Sequence, residues 1–457
     1  MEAISIEILQ DILSATIQQT SSTAGSITGI RIDSRQVTPG DLYIPIIGEN
    51  NDGHRFIPDA VSNGASCVLT EQKNIQCPET VAILEVGSTY EALKALARYQ
   101  RSRYTVDTIA LTGSSGKTTT KDMIASVLQQ GFKTLKTQGN LNNQYGIPLT
   151  LFNLNADIEK MVIEMGMDRM GDIEESIDAV LPDIAVITNI GTSHIEHLKT
   201  QENIYISKKE IFSRLTEKGI ALINGDDPFL QKLKGEDPSY RVVTFSIKDS
   251  SADFYANILE VSETGSVFEL SGVRYRVPIP GTHNVYDALP AIWLGQHFGL
   301  SHGEIQKGLD AFKPSENRME IIEFDNGITL INDVYNANPD AMRAALETTA
   351  VYQPKYKRTI GVLGDMLEMG DLSETAHREI GQQAKKVLDI LIAVGANRSH
   401  YQAGFEDDAH SHLCSDAPEA AELLMKFIRP GDLVLVKGSR GVYLETVIEK
   451  LKEGFNG

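Results

Sequence analysis

Three α/β bodies in one chain are predicted by three observations. Short apolar runs bounded by turns recur from residue 106 onward with helical stretches between them, the pattern of strands covered on both faces of a parallel sheet. A glycine-rich segment, TGSSGKTTT, stands between the first of those runs and a helix. The alternation breaks around PSENRME, 314 to 320, and a second set of runs follows.

Residues 1–104 read as a small mixed α/β domain. A helix is expected near 5 to 17, followed by turns at DSRQVTPGDLY (33 to 43) and GENNDGH (48 to 54). TYEALKALARYQRSRY, 89 to 104, sets Leu93, Ala97 and Tyr104 on related helical faces and closes the domain. Residues 105–317 form the central domain. VDTIALT (106 to 112), KMVIEMG (160 to 166), DIAVITNI (183 to 190) and GIALING (219 to 225) are its buried strands. Met123, Ile124, Val127 and Leu128 repeat at helical spacing after the glycine-rich loop, and 241 to 280 alternates like an antiparallel addition. Residues 318–457 restart with ITLINDV (328 to 334), KRTIGVLG (357 to 364), DILIAVG (389 to 395) and DLVLVKG (432 to 438). This fits a smaller Rossmann-like, doubly wound sheet, whose ligands sit at the carboxyl ends of strands.

The 457 residues hold 42 basic and 62 acidic side chains, a net charge of −20. That field repels phosphate backbones and anionic bilayers, so neither nucleic acid nor a membrane surface is an expected partner. A small anion is still bindable, because local amides and a few cations act at short range. Cys67, Cys77 and Cys414 form no CxxC pair, which fits a reducing compartment. The first twenty residues carry Glu2, Glu7 and Asp11 with no Lys or Arg, and no run of about 18 apolar residues occurs. A cytoplasmic chain is expected.

The strongest local signal is the loop LTGSSGKTTT, 111 to 120. Gly113 and Gly116 let the backbone curl so that the amides of Ser114 and Ser115 face a phosphate at a helix N-terminus. Lys117 reaches toward the β and γ phosphates, and Thr118 and Thr119 supply hydroxyls, Thr118 toward magnesium. The full phosphate-loop pattern has Gly where this chain has Leu111, so the loop is a shortened TGxxGKT. A capped Gly/Ser turn is the competing reading. Glu164 ends one strand and His194 follows another, so both could reach the edge occupied by Thr118. An exposed turn carboxylate and an ordinary loop histidine are their alternatives. Lys208, in SKKEIF on a helix beginning near Glu202, reads alone as a solvated cation.

In order along the chain, DSRQVTPGDLY, DGHRF, TGSSGKTTT, GNLNNQYGIPLTL, EMGMDRMGDI, TNIGTSHIEHL, SKKEIF, GTHNVYDALPA, NRME, NDVYNANPDAM, LGDMLEMG and VKGSRG resemble the Mur ligases. These are ATP-dependent amide-forming enzymes of peptidoglycan precursor synthesis. The set GNLNNxxGxPLTL, YNANPDAM and LGDMLEMG is similar to the member that joins D-alanyl-D-alanine to a UDP-N-acetylmuramoyl tripeptide. The resemblance implies a UDP-sugar site in the first domain at Ser34, Arg35, Asp52, Gly53 and His54, residues that could equally be turn structure. It implies ATP on Gly113 to Thr119, with Asn284 toward adenine, Arg318 toward the γ phosphate and Asp333 toward the ribose. A helix cap would explain Asn284, and surface ion pairing would explain Arg318 or Asp333. Asp287 stands where members of the family often carry Asn. Two magnesium ions are implied at Thr118, Glu164, His194 and a carbamylated Lys208, which turns a misplaced cation into an anionic ligand. Asn140, Asn142, Asn143, Asn336 and Asn338 would meet the peptide or dipeptide, or else form turns. Lys437, Ser439 and Arg440 would lie near the dipeptide carboxylate or the substrate peptide. A monomer is expected, with Lys117, Lys208, His194 and Arg318 as the catalytic set. The implied chemistry proceeds through an acyl phosphate. A related ligase adding one amino acid, as folylpolyglutamate synthetases do, and a phosphate-loop ATPase that forms no bond are the alternatives.

Overall fold

The computed structural model describes residues 1–23, 25–48 and 50–455, so Glu49 of the GENNDGH turn lies outside the described residues. The strands build sheets of five, nine and six, beside a two-stranded pair of Ile4–Ser5 with Ser26–Ile27.

The nine-stranded sheet runs Thr134–Lys136, Lys160–Glu164, Asp107–Thr112, Ile184–Ile187, Ile220–Asn224, Arg241–Ser246, Phe254–Ser262, Gly265–Leu270 and Val273–Val277. Asp107–Thr112 is central, parallel to Lys160–Glu164 on one side and Ile184–Ile187 on the other. The chain leaves this strand toward one edge and later crosses to the other, which opens a crevice at its carboxyl end. Its apolar run divides by the period of two. Ile109 and Leu111 join the layer of Met123, Ile124, Val127 and Leu128, while Ala110 faces the opposite layer with Met161 and Ile163. That first layer is sealed by the helices Thr282–His297 and His302–Ala311. Gly308 lets the latter sit close, since a Cβ there would lie 2.5 Å from Val127 Cα.

The six-stranded sheet runs Glu320–Glu323, Thr329–Asp333, Asp432–Lys437, Arg358–Gly364, Ile390–Val394 and Ser411–Cys414. All its pairings are parallel except that of the first strand with Thr329–Asp333. The five-stranded sheet runs Thr16–Gln19, Ala82–Glu85, Cys67–Thr70, Asp41–Tyr43 and Gly29–Arg31, antiparallel only at the first pair.

Two expectations are corrected. The first helix spans only Ile6–Leu13, because Ser14 turns left-handed and Thr16–Gln19 pairs with Ala82–Glu85. β-branched Thr16 and Ile17 suit a pleated edge better than a helix end. In 241 to 280, Arg241–Ser246 extends the parallel sheet and pairs with Ile220–Asn224. Only Phe254–Ser262, Gly265–Leu270 and Val273–Val277 make antiparallel ladders with one another.

Candidate active site

The strand Asp107–Thr112 ends in the loop 113 to 116, and the helix Lys117–Leu128 begins directly after it. Gly116 caps that helix at φ 80, a left-handed conformation that a side chain would strain. A Cβ on Gly116 would run into Asp287 Oδ1, and one on Gly113 into Thr188 Oγ1. The loop is clasped from the next strand. Ser115 N donates to Asn189 Oδ1 at 2.9 Å, Thr188 Oγ1 donates to Ser115 O at 2.6 Å, and Gly191 N donates to Ser114 Oγ at 2.8 Å. Lys117 folds back so that Nζ donates to Gly113 O at 2.8 Å, and burial holds its ammonium below the usual lysine range.

Glu164 is buried at the end of its strand rather than exposed in a turn. Its Oε1 accepts from Asn142 Nδ2 at 2.8 Å and from Thr118 Oγ1 at 3.3 Å, while Oε2 is enclosed with no hydrogen-bond partner among the described residues. The nearest cation to Oε2 is Lys121 Nζ at 3.7 Å. An orphaned carboxylate oxygen beside a threonine hydroxyl is the donor chemistry magnesium takes, so these residues fit the ion. Lys208 is 1% exposed and makes no ion pair among the described residues, which excludes the solvated-cation reading. Burial, aided by the nearby Lys117 ammonium, pushes its amine well below the usual lysine range. Among the described residues no three His, Cys, Asp or Glu side chains converge as a metal group. His194, at φ 64, places Nδ1 2.7 Å from Glu368 Oε2 of the third body, a contact that holds the Glu368 carboxyl below the usual range.

The third body supplies the facing wall. A cavity of about 490 Å³ is lined by Ser114 to Thr119, Asn284, Asp287, Arg318, Asp333, Asn336 and Lys437. Asp333 pairs with Lys437 Nζ at 2.6 Å, buried rather than at the surface, and Arg318 lies over the Tyr335 ring at 4.0 Å. Asn284 does not cap its helix, since Gly281 holds that position; its Nδ2 donates to Pro280 O at 2.7 Å. Asn338 does cap a helix, Pro339–Tyr352, by accepting from Ala341 N at 2.8 Å. Its Nδ2 also donates to Ser193 Oγ at 2.8 Å and Ser115 Oγ at 3.1 Å, bridging the third body to the phosphate loop. A second cavity of about 260 Å³ lies beside it, lined by His194, Asn336, Asn338, Glu368, Ser439 and Arg440.

Other expected contacts have local structural work. Asn143 Oδ1 accepts from Gly146 N at 2.9 Å as a turn residue, and Asn140 is exposed. Arg35 is an exposed side chain paired with Asp33 at 2.8 Å, and Ser34 O accepts from Asn63 Nδ2 at 2.9 Å. Asp52 Oδ1 lies 2.6 Å from His54 Nδ1, and His54 Nε2 accepts from Glu71 N at 3.0 Å. Gly53 is required by packing, since a Cβ would lie 2.7 Å from Ile46 N. None of these first-domain residues lines either cavity.

Family-level comparison matches residues 26–101 to the Mur ligase family, catalytic domain, residues 111–295 to the Mur ligase middle domain, and residues 317–440 to the Mur ligase, glutamate ligase domain. The UDP-N-acetylmuramoyl-tripeptide--D-alanyl-D-alanine ligase of Bacillus subtilis is 37% identical over 93% of both chains. The chain belongs to the Mur ligase family. The Escherichia coli ligase of the same name is 32% identical over 99% of both chains. Among solved structures, a MurF of Acinetobacter baumannii matches with TM-score 0.90 and 32% identity over 99% of both chains. The MurF ligase of Thermotoga maritima in complex with ADP matches with TM-score 0.79 and 29% identity, covering 93% of this chain and 97% of its own.

Three residues beside these cavities had no role in the sequence reading, Asp287 having been noted only for standing where members of the family often carry Asn. Asp287 is buried against the phosphate loop, accepts from Thr120 Oγ1 at 3.0 Å, and is pushed up to about 7 by burial. His283 lines the same cavity with Nδ1 unpartnered, and burial lowers it to about 4. Glu368 was an anonymous acid within LGDMLEMG. Its φ of 59, its contact with His194 Nδ1 and its place on the second cavity are all invisible before folding.

Proposed function

We propose that this Mur ligase joins D-alanyl-D-alanine to UDP-N-acetylmuramoyl-tripeptide with ATP, releasing ADP and phosphate in the cytoplasm. The observation that carries the reading is the shared wall: Asn336 and Asn338 line both the cavity of the phosphate loop and the smaller cavity with His194, Ser439 and Arg440. A nucleotide in the first and a small zwitterion in the second would lie side by side, as acyl activation followed by amine attack requires. In this reading residues 1–104 hold the UDP-sugar, 105–317 the ATP and 318–457 the incoming dipeptide.

Amide formation in water needs an activated carboxylate, because oxide is a poor leaving group. The tripeptide carboxylate attacks the γ phosphate in line, giving an acyl phosphate and ADP. The dipeptide amine, in its unprotonated form, then attacks the acyl carbon; the acyl C–O bond breaks with its electron pair on the departing phosphate, and the N–H proton leaves with that phosphate or to water. Lys117 leaves Gly113 O to meet the phosphates, and Arg318 meets the same charge from the linker. Thr118, Glu164, His194 and a carbamylated Lys208 would hold magnesium, which supplies positive charge at the transferring phosphoryl group when bound. Arg440, at the second cavity, suits the dipeptide carboxylate by its planar fork. Asn284 and Asp333 line the nucleotide cavity, where they would meet base and ribose.

The test is phosphate release and product mass with ATP, UDP-muramoyl tripeptides carrying meso-diaminopimelate or lysine, and D-alanyl-D-alanine or single amino acids. Release that needs all three substrates and gives a pentapeptide mass is expected. Release with ATP alone, or extension by one residue, overturns the reading.

A further inference from the structure

One turn past the phosphate loop, the helix Lys117–Leu128 buries two charged residues that the mechanism above leaves unused. Lys121 is 1% and Asp122 8% exposed. Asp122 Oδ1 accepts from Lys136 Nζ at 2.6 Å and lies 3.4 Å from Lys121 Nζ, which fixes the carboxylate in place. Its Oδ2 accepts from Ser315 Oγ at 2.9 Å. A hydroxyl bonded to a buried carboxylate is a charge-assisted, short and directional contact.

Ser315 opens a turn that ends on Arg318, whose N donates to Ser315 O at 3.2 Å. From Asn317 of that turn onward the chain is tied to the six-stranded sheet: Asn317 Oδ1 accepts from Asn332 Nδ2 at 2.9 Å, and Met319 N donates to Asp333 Oδ1 at 3.3 Å. Asn317 and Met319 sit at φ 60 and 48, a conformation non-glycine residues hold only when their surroundings enforce it. Among the described residues, Ser315 is the one side chain of 313 to 319 that hydrogen-bonds to the central body. The linker is thus pinned at both ends, and Arg318 is carried between the pins.

We propose that Asp122, acting through Ser315, is a positioning residue that sets the reach of Arg318 over the phosphate loop. The proposal rests on the nucleotide reading of that cavity. Lys117 and Arg318 come from different bodies, and this contact holds the helix that starts with one in register with the turn that ends with the other.

Calorimetric titration of the full chain with a non-hydrolysable ATP analogue and magnesium tests it. Ser315→Ala is expected to weaken binding about five- to tenfold, whereas Ser315→Thr, which keeps the hydroxyl, stays within about twofold of the parent. In an Arg318→Ala background, Ser315→Ala should change affinity by less than about twofold, because the group it positions is gone. Asp122→Asn should weaken binding in the parent and not in that background. Equal losses with and without Arg318, or no loss from Ser315→Ala, overturns the positioning role. A parent chain that binds no nucleotide overturns instead the reading of the cavity, and the proposal with it.

Discussion

Asp287 shows how burial alone can change what a carboxylate is. Its oxygen packs against Gly116 with Thr120 Oγ1 as its one donor among the described residues, and it is pushed up to about 7 from an ordinary 3.8. Between those values the folded chain keeps a proton that the unfolded chain releases, so stability is lost as pH rises and levels off above about 7. Asp287→Asn removes the titration, so its stability should gain on the parent between pH 5 and 8, by up to about 3 kcal/mol, read as a rising difference in melting temperature. A gap independent of pH would disprove it. Lys208 is the second residue whose character burial decides. In the proposed reading, burial that pushes the amine well below its usual range favours the unprotonated form, the form that adds carbon dioxide. Lys208→Ala should lose about 100-fold or more in ligase rate and recover part of it with added formate or acetate. Failure of that rescue counts against a carbamate ligand. The position of Lys208 in SKKEIF told nothing of this, because side-chain burial depends on what packs over the helix.

At the scale of elements, Asn338 serves two purposes that one variant can separate. As a cap it accepts from Ala341 N, and as a bridge it donates to Ser115 and Ser193. Asn338→Ala should cost about 1 kcal/mol through the cap alone. Asn338→Asp keeps the acceptor and discards the donors, so its melting temperature should stay near that of the parent while kcat/KM for ATP falls. Equal thermal and kinetic losses in both variants would mean that the bridge has no role. The central strands were legible at their places, because runs such as DTIALT are apolar on both faces and leave little choice. Short elements were not: Thr134–Lys136 and the strands of the five-stranded sheet hold three or four residues each, too few for periodicity to register.

Across the whole molecule, the six-stranded body meets the central one at Asn338, at Glu368 beside His194, and at the backbone bond from Glu196 N to Glu368 O of 3.0 Å. Interfaces of this polar, local kind open and close, and nucleotide bridging the two walls should favour closure. Hydrogen exchange at 336 to 343 and 366 to 370 is expected to slow when ATP analogue and magnesium are added. Unchanged protection there would refute a ligand-linked closure. The net charge of −20 acts over the same scale against every anionic substrate. Raising ionic strength from about 20 to 150 mM should therefore speed nucleotide association several-fold by screening, and slower association would show that local cations dominate the approach.

Sequence by itself determined the α/β class, the parallel strands, the glycine-rich loop between strand and helix and the family, because each follows from neighbouring residues: alternation, glycine placement and ordered motifs. Tertiary structure alone decided which side chains are inside and what they face. Among the described residues Glu164 has an orphaned oxygen and Lys208 no ion pair, because distant strands and helices close over them. Asp287 reaches Gly116 across 171 residues of chain, and Ser315 reaches Asp122 across 193. Such contacts depend on the packing of whole bodies, which no local pattern encodes.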